Sequence, residues 1–233
     1  MLASPLHVGE LHSAEVFEPA GFDYDQVAAP ARLDLALHGA GRLGRESAGL
    51  PGREGAGFPV QEKARAEVVD AADRLLVLQC AQPWGQPYAP TDGWGWGSNG
   101  RILSNLVVLA VAHLLTGAPS YLAAVATGTD YLLGRNALGQ SYVTGYGSDD
   151  SRHQRTRQFG HDLDPAMPPP PPGALAGGAN AQQHPDFPYD DRLDGLPPQC
   201  CYLDEPTSEV TNDICIRWNA PLVYVSTFLE LRR

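Results

Sequence analysis

The run over residues 102–115 constrains the fold most strongly, because it is apolar on nearly every face of a helix. It begins with Ile102 and Leu103 and continues through Leu106 to Leu115 with few polar positions. Such a helix is stable only when other helices enclose it. The sequence therefore predicts a helical protein with this run at its centre.

Helical spacing also runs through residues 60–82 and, less regularly, through residues 23–44. The first segment predicts one buried stripe, consisting of Val68, Ala71, Ala72, Leu75, Leu78 and Gln79, with Cys80 packed in the same core. The second segment is expected to become regular near Pro30. Its apolar spacing is carried by Val27, Ala31, Leu35 and Ala36.

Two more helices are predicted after the central run. Gly117 ends that run, and Ser120 is expected to cap a helix over residues 121–133, which makes an antiparallel hairpin. The last helix is predicted from Asn219, as N-cap, to about residue 230. Its buried side chains are expected to be Leu222, Val225 and Phe228 or Leu229.

The chain is predicted to be one all-α domain over residues 1–233. Its 233 residues can bury a sizeable core, and 25 Gly and 21 Pro indicate long structured loops. Residues 1–22 and 46–57 are predicted to be loop or linker, and residues 83–97 form an aromatic loop in which Pro and Gly exclude a helix. Little regular structure is expected over residues 139–198.

Composition excludes several classes of partner. The net charge of -11, without a basic run, argues against nucleic acid and suits neutral substrates. The four cysteines form no CxxC pair, so a metal cage is not expected. Residues 1–8 lack the features of a secretory signal, and no window is expected to approach a membrane span.

Carboxylates are concentrated in residues 204–213, shortly before the last predicted helix. Together with His153, Arg155 and the Trp-rich turn at Trp94 and Trp96, they form a set that sugar cleavage needs. Such a site requires a proton donor, hydrogen-bonding partners for hydroxyl groups and flat faces for sugar rings.

Five sequence blocks resemble glycoside hydrolase family 9, specifically the C-terminal half of its catalytic domain. The blocks cover about residues 60–230 and lie at 95–99, 130–147, 153–155, 175–180 and 219–222. The resemblance implies part of an (α/α)6 toroid, an inner and an outer ring of helices, with an open cleft that cleaves β-1,4-glucans by inversion. Members of this family are typically extracellular or surface-bound cellulases, often with calcium.

The resemblance places the proton donor at Asp213, where the family has Glu. Asp is one methylene shorter, so its carboxyl would lie about 1 to 1.5 Å farther from the glycosidic oxygen, and such a shift can cost about a hundredfold in rate. Glu209, four residues earlier, is the alternative donor and replaces a family aromatic. A third interpretation is that both carboxylates only solvate a loop.

The His-x-Arg element of the family matches His153 and Arg155, which implies that they hydrogen-bond sugar hydroxyls. An imidazole and a planar guanidinium can both engage such polar edges. The alternative is an ion pair with Asp149 or Asp150 that stabilises the loop.

Aromatic side chains are the candidates for stacking on sugar rings. Trp96 aligns with the family's Trp-Gly-Ser-Asn, and Trp94 is a second candidate, although Trp side chains are more often core anchors. Tyr146 and Tyr202 are weaker candidates, and Asp204 is a further candidate for binding substrate. Trp218 is expected to be core.

An Asp-x-Gly-Asp motif, which in the family supplies the base for water, does not occur in these 233 residues. The sequence therefore predicts a partial catalytic domain that self-associates through exposed apolar flanks. The alternative function is a non-catalytic carbohydrate-binding remnant. Asp190–Asp191 and Asp204–Glu205 could bind calcium, but surface acidity explains them equally simply.

Overall fold

All regular secondary structure is helical in residues 16–23, 26–38, 57–183 and 189–232, which are the residues that the computed structural model describes. The α-helices are α1 (Ala28–His38), α2 (Gly57–Ala81), α3 (Ser98–Thr116), α4 (Pro119–Leu132), α5 (Glu209–Asn212) and α6 (Ile216–Glu230). Two 3₁₀ turns span Asp191–Leu193 and Pro198–Cys200. The all-α prediction is confirmed for this part of the chain.

Helix α3 lies at the centre of the helices, as its composition predicts. It packs against α1, α2, α4 and α6, and Ile102, Leu103 and Leu106 are fully buried. With a mean hydropathy of 1.3, α3 is long and apolar enough to cross a membrane, so the expectation that no window approaches a span is wrong there. Since 67% of that window is buried inside the protein, its composition fits a core helix.

The predicted hairpin is formed by α3 and α4, which pack against each other. Gly117 ends α3 with φ of 72°, a left-handed conformation that favours glycine, and its N–H donates to the His113 carbonyl at 2.8 Å. The start of α4 differs from the prediction, because Ala118 is the N-cap and Pro119 is the first helical residue. Proline fits that position because its missing N–H would have no helical acceptor there.

Helix α1 has its buried face rotated from the predicted one. Ala29, Leu33 and Ala36 are buried, whereas Val27 is 69% exposed and Ala31 is exposed. The predicted stripe is therefore confirmed at Ala36 and in part at half-buried Leu35, but it is wrong at Val27 and Ala31, because α2 and α3 cover the face that carries Ala29 and Leu33. The rest of the predicted segment, residues 39–44, lies outside the described residues.

The stripe predicted for α2 is largely confirmed. Val68, Ala72 and Leu75 are buried with Ala71 and Gln79, and Leu78 is half-buried. Cys80 is exposed, so its predicted place in the core is wrong. It directly follows Gln79 on the helix, and neighbouring positions point about 100° apart.

Helix α6 has its N-cap four residues before the predicted one. Cys215 is the N-cap, and Asn219 lies inside the helix, where its Oδ1 accepts from the Leu175 N–H at 3.0 Å. Its Nδ2 donates to the Cys215 carbonyl at 2.9 Å. The side chain thus bonds as a cap would, but it joins α6 to residue 175. Of the predicted buried residues, Val225 and Phe228 are buried, while Leu222 and Leu229 are half-buried.

The loop predictions can be compared only in part. Residues 16–22 contain turns without helix or strand, and Phe17 among them is buried at 8% exposure. Residues 1–15 and 46–56 lie outside the described residues, and Gly57 already belongs to α2. Residues 139–183 and 189–198 have little regular structure, as expected.

Isolated β-bridges tie the loops together beside the helices. Val143 pairs with Leu175, Ala176 pairs with Ile214, and Arg155 pairs with Asp213. These pairings place four segments side by side, around residues 143, 175–176, 213–214 and 155. The segment that precedes α6 is therefore fixed from both of its edges.

The side chain of Trp218 joins these segments to the helices. It is 1% exposed, as the core prediction requires, and three glycines, Gly97, Gly100 and Gly177, face its ring. A Cβ atom at Gly100 would stand closer to the indole than any real contact allows. The absence of side chains at these glycines is what lets the start of α3 approach the start of α6.

Replacing Gly100 with Ala should destabilise the protein by about 1–3 kcal/mol, because the new methyl group overpacks the seat of Trp218. This holds even though Ala favours a helix more than Gly does. Urea unfolding followed by circular dichroism measures the change. Gly160→Ala is the matched control, because its Cβ would meet nothing nearer than 3.7 Å. Equal stabilities of the Gly100→Ala variant and the wild type would contradict this packing.

Candidate active site

Asp213 lies in the short link between α5 and α6. This link runs between the segment that contains Gly177 and the segment that contains Arg155. The Asp213 backbone is extended, and its carbonyl accepts from the Gly177 N–H at 2.9 Å. On the other side, the Arg155 N–H donates to the Asn212 carbonyl at 3.3 Å. Three parts that are separate in sequence therefore form one site. They are the acidic residues at 204–213, the Gly-Gly block at 177–178 and the His-x-Arg element at 153–155.

The carboxyl group of Asp213 is held in a partly desolvated position. Burial raises its pKa from 3.8 to about 6, opposed by a hydrogen bond in which the Ile214 N–H donates to Oδ1 at 2.9 Å. The charge of Glu209 raises this pKa further, whereas Arg155 and Arg217 lower it. A carboxyl with such a pKa holds its proton in mildly acidic solution and can act as a general acid.

Glu209, the alternative donor, is engaged differently. It begins the single turn of α5, and its Oε1 accepts from Nη2 of Arg155 in an ion pair. This contact ties the Glu209 carboxyl to a guanidinium, whereas the Asp213 carboxyl accepts from the Ile214 N–H. The geometry therefore favours Asp213 over Glu209 as proton donor.

The His-x-Arg element lies beside the acidic loop with both side chains partly exposed. His153 Nδ1 lies 2.8 Å from Asp162 Oδ2, and the side-chain exposure is 52% for His153 and 38% for Arg155. His153 and Arg155 do lie in ion-pair contacts, as the alternative interpretation expected. Their partners are Asp162 and Glu209 and not Asp149 or Asp150. It is Arg152 that pairs with Asp150, at 2.7 Å.

Asp204 fixes the loop that carries His153. Its Oδ2 accepts from the Arg152 N–H at 2.8 Å, and its Oδ1 accepts from the His153 N–H at 3.0 Å. Asn212 Nδ2 also donates to Oδ1, at 3.1 Å. These bonds give Asp204 a positioning role, and its contact with substrate stays a prediction.

Trp94 and Tyr202 belong to the core. Trp94 is 7% exposed and packs edge to face on Tyr88, with ring centroids 4.9 Å apart. Tyr202 is 5% exposed, and its hydroxyl donates to Asn212 Oδ1 at 2.6 Å and lies 2.7 Å from Ser151 Oγ. The structure thus supports the core interpretation for Trp94 and leaves neither ring open to a sugar.

Trp96 lines a cavity of about 460 Å³ whose wall includes Arg217 but none of Asp213, Glu209, His153 and Arg155. The half-buried ring packs edge to face on Trp218, and the guanidinium carbon of Arg217 lies 5.2 Å from its centroid. Asp92 and Gln182 add polar groups to the wall. A partly open indole among hydrogen-bonding groups is the arrangement that sugar rings require. Tyr146, at 56% exposure, lies outside the lining of this cavity.

Arg217 is the functional candidate that sequence reasoning missed. It lines the cavity, lies over Trp96 and lowers the pKa of Asp213. Its signal was its place between the acid and Trp218. Because the last helix was predicted to begin at Asn219, Arg217 was not placed on the first turn of that helix.

The acidic pairs considered for calcium are engaged with protein donors. Arg192 bonds to both Asp190 and Glu205, at 2.6 Å to each, and Asp204 accepts the backbone bonds described above. In the described ranges, no group of three or more His, Cys, Asp or Glu side chains is arranged so that it could hold a metal ion.

Comparison with known proteins decides the family. The sequence profile described as Glycosyl hydrolase family 9 matches residues 12–226. The chain belongs to glycosyl hydrolase family 9. It is 40% identical to Endoglucanase C of Cellulomonas fimi over 230 residues. The alignment covers 97% of this chain and 19% of that protein. The chain is 39% identical over 173 residues to a cellulose 1,4-beta-cellobiosidase of Acetivibrio thermocellus, covering 72% and 19%.

Solved structures of family 9 enzymes share the fold. AaCel9A in complex with cellobiose-like isofagomine superposes with a TM-score of 0.69 at 29% identity, over 88% of this chain and 36% of that one. A thermostable endoglucanase from Alicyclobacillus acidocaldarius gives 0.67 at 27%, over 88% and 35%. The helices described above are therefore part of an (α/α)6 barrel, as the resemblance implied.

The chain spans about a fifth of the length of the curated relatives that it matches. It corresponds to about a third of the solved family 9 chains. The residues described here thus represent one portion of the barrel.

Asp213→Asn should stabilise the protein at neutral pH. The pKa of Asp213 is raised on folding from 3.8 to about 6, so the folded state binds more protons and stability falls as pH rises through that window. Asn carries no charge to desolvate, and with partial exposure the expected gain is about 1–2 kcal/mol at pH 7.5.

The difference should be small near pH 3.5, where the carboxyl is protonated in the folded state and mostly protonated in the unfolded state. Urea unfolding of the two proteins at pH 3.5, 5 and 7.5 measures it. A stability difference that does not change with pH would show that the Asp213 carboxyl is solvated.

Proposed function

We propose that this chain supplies the protonating side of a site that cleaves β-1,4-linked glucans, with Asp213 as general acid. The observation that carries the proposal is a partly buried carboxyl, its pKa raised to about 6, at the position where the family resemblance places the proton donor. The names of the relatives, an endoglucanase and a cellobiosidase, support the substrate class.

In this proposal, Asp213 gives its proton to the glycosidic oxygen as the bond to the anomeric carbon breaks. Arg155 and His153 hydrogen-bond sugar hydroxyls beside the cleavage point, and Trp96 offers a ring face to a pyranose. Inversion requires a water activated from the opposite face by a second carboxylate, roughly 6.5–9.5 Å from the acid.

The second carboxylate is proposed to come from a part of the catalytic domain that these 233 residues do not include. The absence of an Asp-x-Gly-Asp motif supports this, as does the coverage of about a third of the solved enzymes. Calcium remains a proposal from the resemblance, and so does an extracellular location.

A carbohydrate-binding role without hydrolysis is the second candidate. The shorter acid at position 213 and the missing base motif favour it. Trp96, Arg217 and the adjoining cavity supply binding groups that do not depend on a catalytic pair.

Titration with cellohexaose, followed by Trp fluorescence and by an assay of reducing ends, separates the two functions. If the chain hydrolyses, Asp213→Asn should retain binding and lose at least about a hundredfold in rate, because the proton donor is removed. Glu209→Gln should still hydrolyse, with a loss far smaller than that of Asp213→Asn.

Loss of hydrolysis in Glu209→Gln alone would contradict the assignment of Asp213. Binding without any reducing ends supports the carbohydrate-binding role. Neither binding nor hydrolysis would contradict both functions for this chain.

We also propose self-association through the outer face of α6. Ile216, Val223 and Leu231 are 88%, 65% and 76% exposed, and their spacing places them along one side of the helix. An exposed apolar stripe of this length favours burial against another surface, and a second copy of the chain is the partner proposed.

Sedimentation velocity tests this association. The wild type should form concentration-dependent dimers or larger species, and Val223→Glu should shift it toward monomer, because a charge would be buried in the interface. Val77→Glu is the control, since Val77 is 74% exposed on α2 beside Asp73 and Arg74. A wild type that is monomeric at every concentration would contradict the proposal.

A further inference from the structure

The ion pair between Arg155 and Glu209 lies beside the proposed acid on two different segments. Arg155 belongs to the segment whose backbone pairs with residues 212–213, whereas Glu209 begins α5. Both side chains are only partly exposed, at 38% and 27%. In such surroundings charges interact more strongly than in bulk water.

Charged groups approach Asp213 from three sides. Glu209 comes from α5, Arg155 from the segment beside it and Arg217 from the first turn of α6. The fourth neighbour, the segment at 174–178, has only Ala, Leu and Gly side chains. One carboxylate and two guanidinium groups therefore act on Asp213, and Arg217 is itself paired with Asp23 at 3.7 Å.

We propose that Glu209 is a positioning residue that acts through Arg155, holding its guanidinium on the α5 side and keeping its charge neutralised, so that Asp213 retains its proton. Arg155 is anchored through its backbone next to Asp213. Without Glu209, Arg155 would lose the carboxylate that balances its positive charge beside Asp213. This inference deepens the proposed role of Asp213 and rests on it.

The proposal predicts the direction in which each of two substitutions shifts the pKa of Asp213. Glu209→Gln removes a negative charge and leaves Arg155 unneutralised, and both effects favour ionised Asp213. Arg155→Gln removes a positive charge and leaves Glu209 unneutralised, and both effects favour protonated Asp213. A role in loop stability alone predicts something else, because loosening the loop would hydrate Asp213 and favour ionisation in both variants.

The experiment is an NMR titration of the Asp213 side-chain carboxyl in the full chain, with ¹³C-labelled aspartate. In Glu209→Gln the pKa of Asp213 should fall by roughly half a unit or more, and in Arg155→Gln it should rise by a similar amount. Glu205→Gln is the matched control. It removes a nearby carboxylate that pairs with Arg192, and it should leave the titration of Asp213 unchanged.

The double variant Arg155→Gln with Glu209→Gln keeps the test decisive if one single variant does not fold. From Glu209→Gln to the double variant the pKa must rise, and from Arg155→Gln to the double variant it must fall. A fall in both single variants, or no change on Glu209→Gln, overturns the proposal. The titration needs no hydrolysis, so its outcome is independent of whether Asp213→Asn abolishes cleavage.

Discussion

The site depends on the packing of the Trp218 indole against Gly97, Gly100 and Gly177. The indole is buried against glycines of α3 and of the Gly-Gly block, and it belongs to the helix that follows Asp213. Dense packing leaves no room for a second arrangement of these three parts. Asp213 therefore stands in a fixed position between two backbone segments, although its own segment has only one short turn of helix.

Desolvation follows from that position. The segments on both sides of Asp213 exclude water, while the link to α6 supplies the Ile214 N–H as a hydrogen-bond donor. Burial is the larger effect, so the carboxyl favours its proton. The neighbouring Arg155 and Glu209 compensate each other, which leaves burial to dominate. The electrostatic setting of Asp213 thus suits the general acid that we propose it to be.

The helices were predictable where a buried stripe and a terminating glycine agree, as for α3 and Gly117. The face of α1 was not, because alanine-rich segments offer several apolar stripes and only the neighbouring helices select one. The start of α6 was missed because Asn219 has the chemistry of a cap but bonds across to residue 175.

The family resemblance located Asp213, Glu209 and the His-x-Arg element in sequence. It could not tell that Glu209 pairs with Arg155, that Asp204 binds backbone N–H groups, or that Trp94 is core, because each depends on contacts between distant loops.

The most direct test of Asp213 as proton donor is a crystal structure of the Asp213→Asn chain with cellohexaose. The proposal predicts a glycosidic oxygen about 2.6–3.2 Å from the side chain of residue 213, with a pyranose ring on Trp96. A saccharide whose glycosidic oxygen lies against Glu209, or whose chain passes outside this cleft, would contradict it.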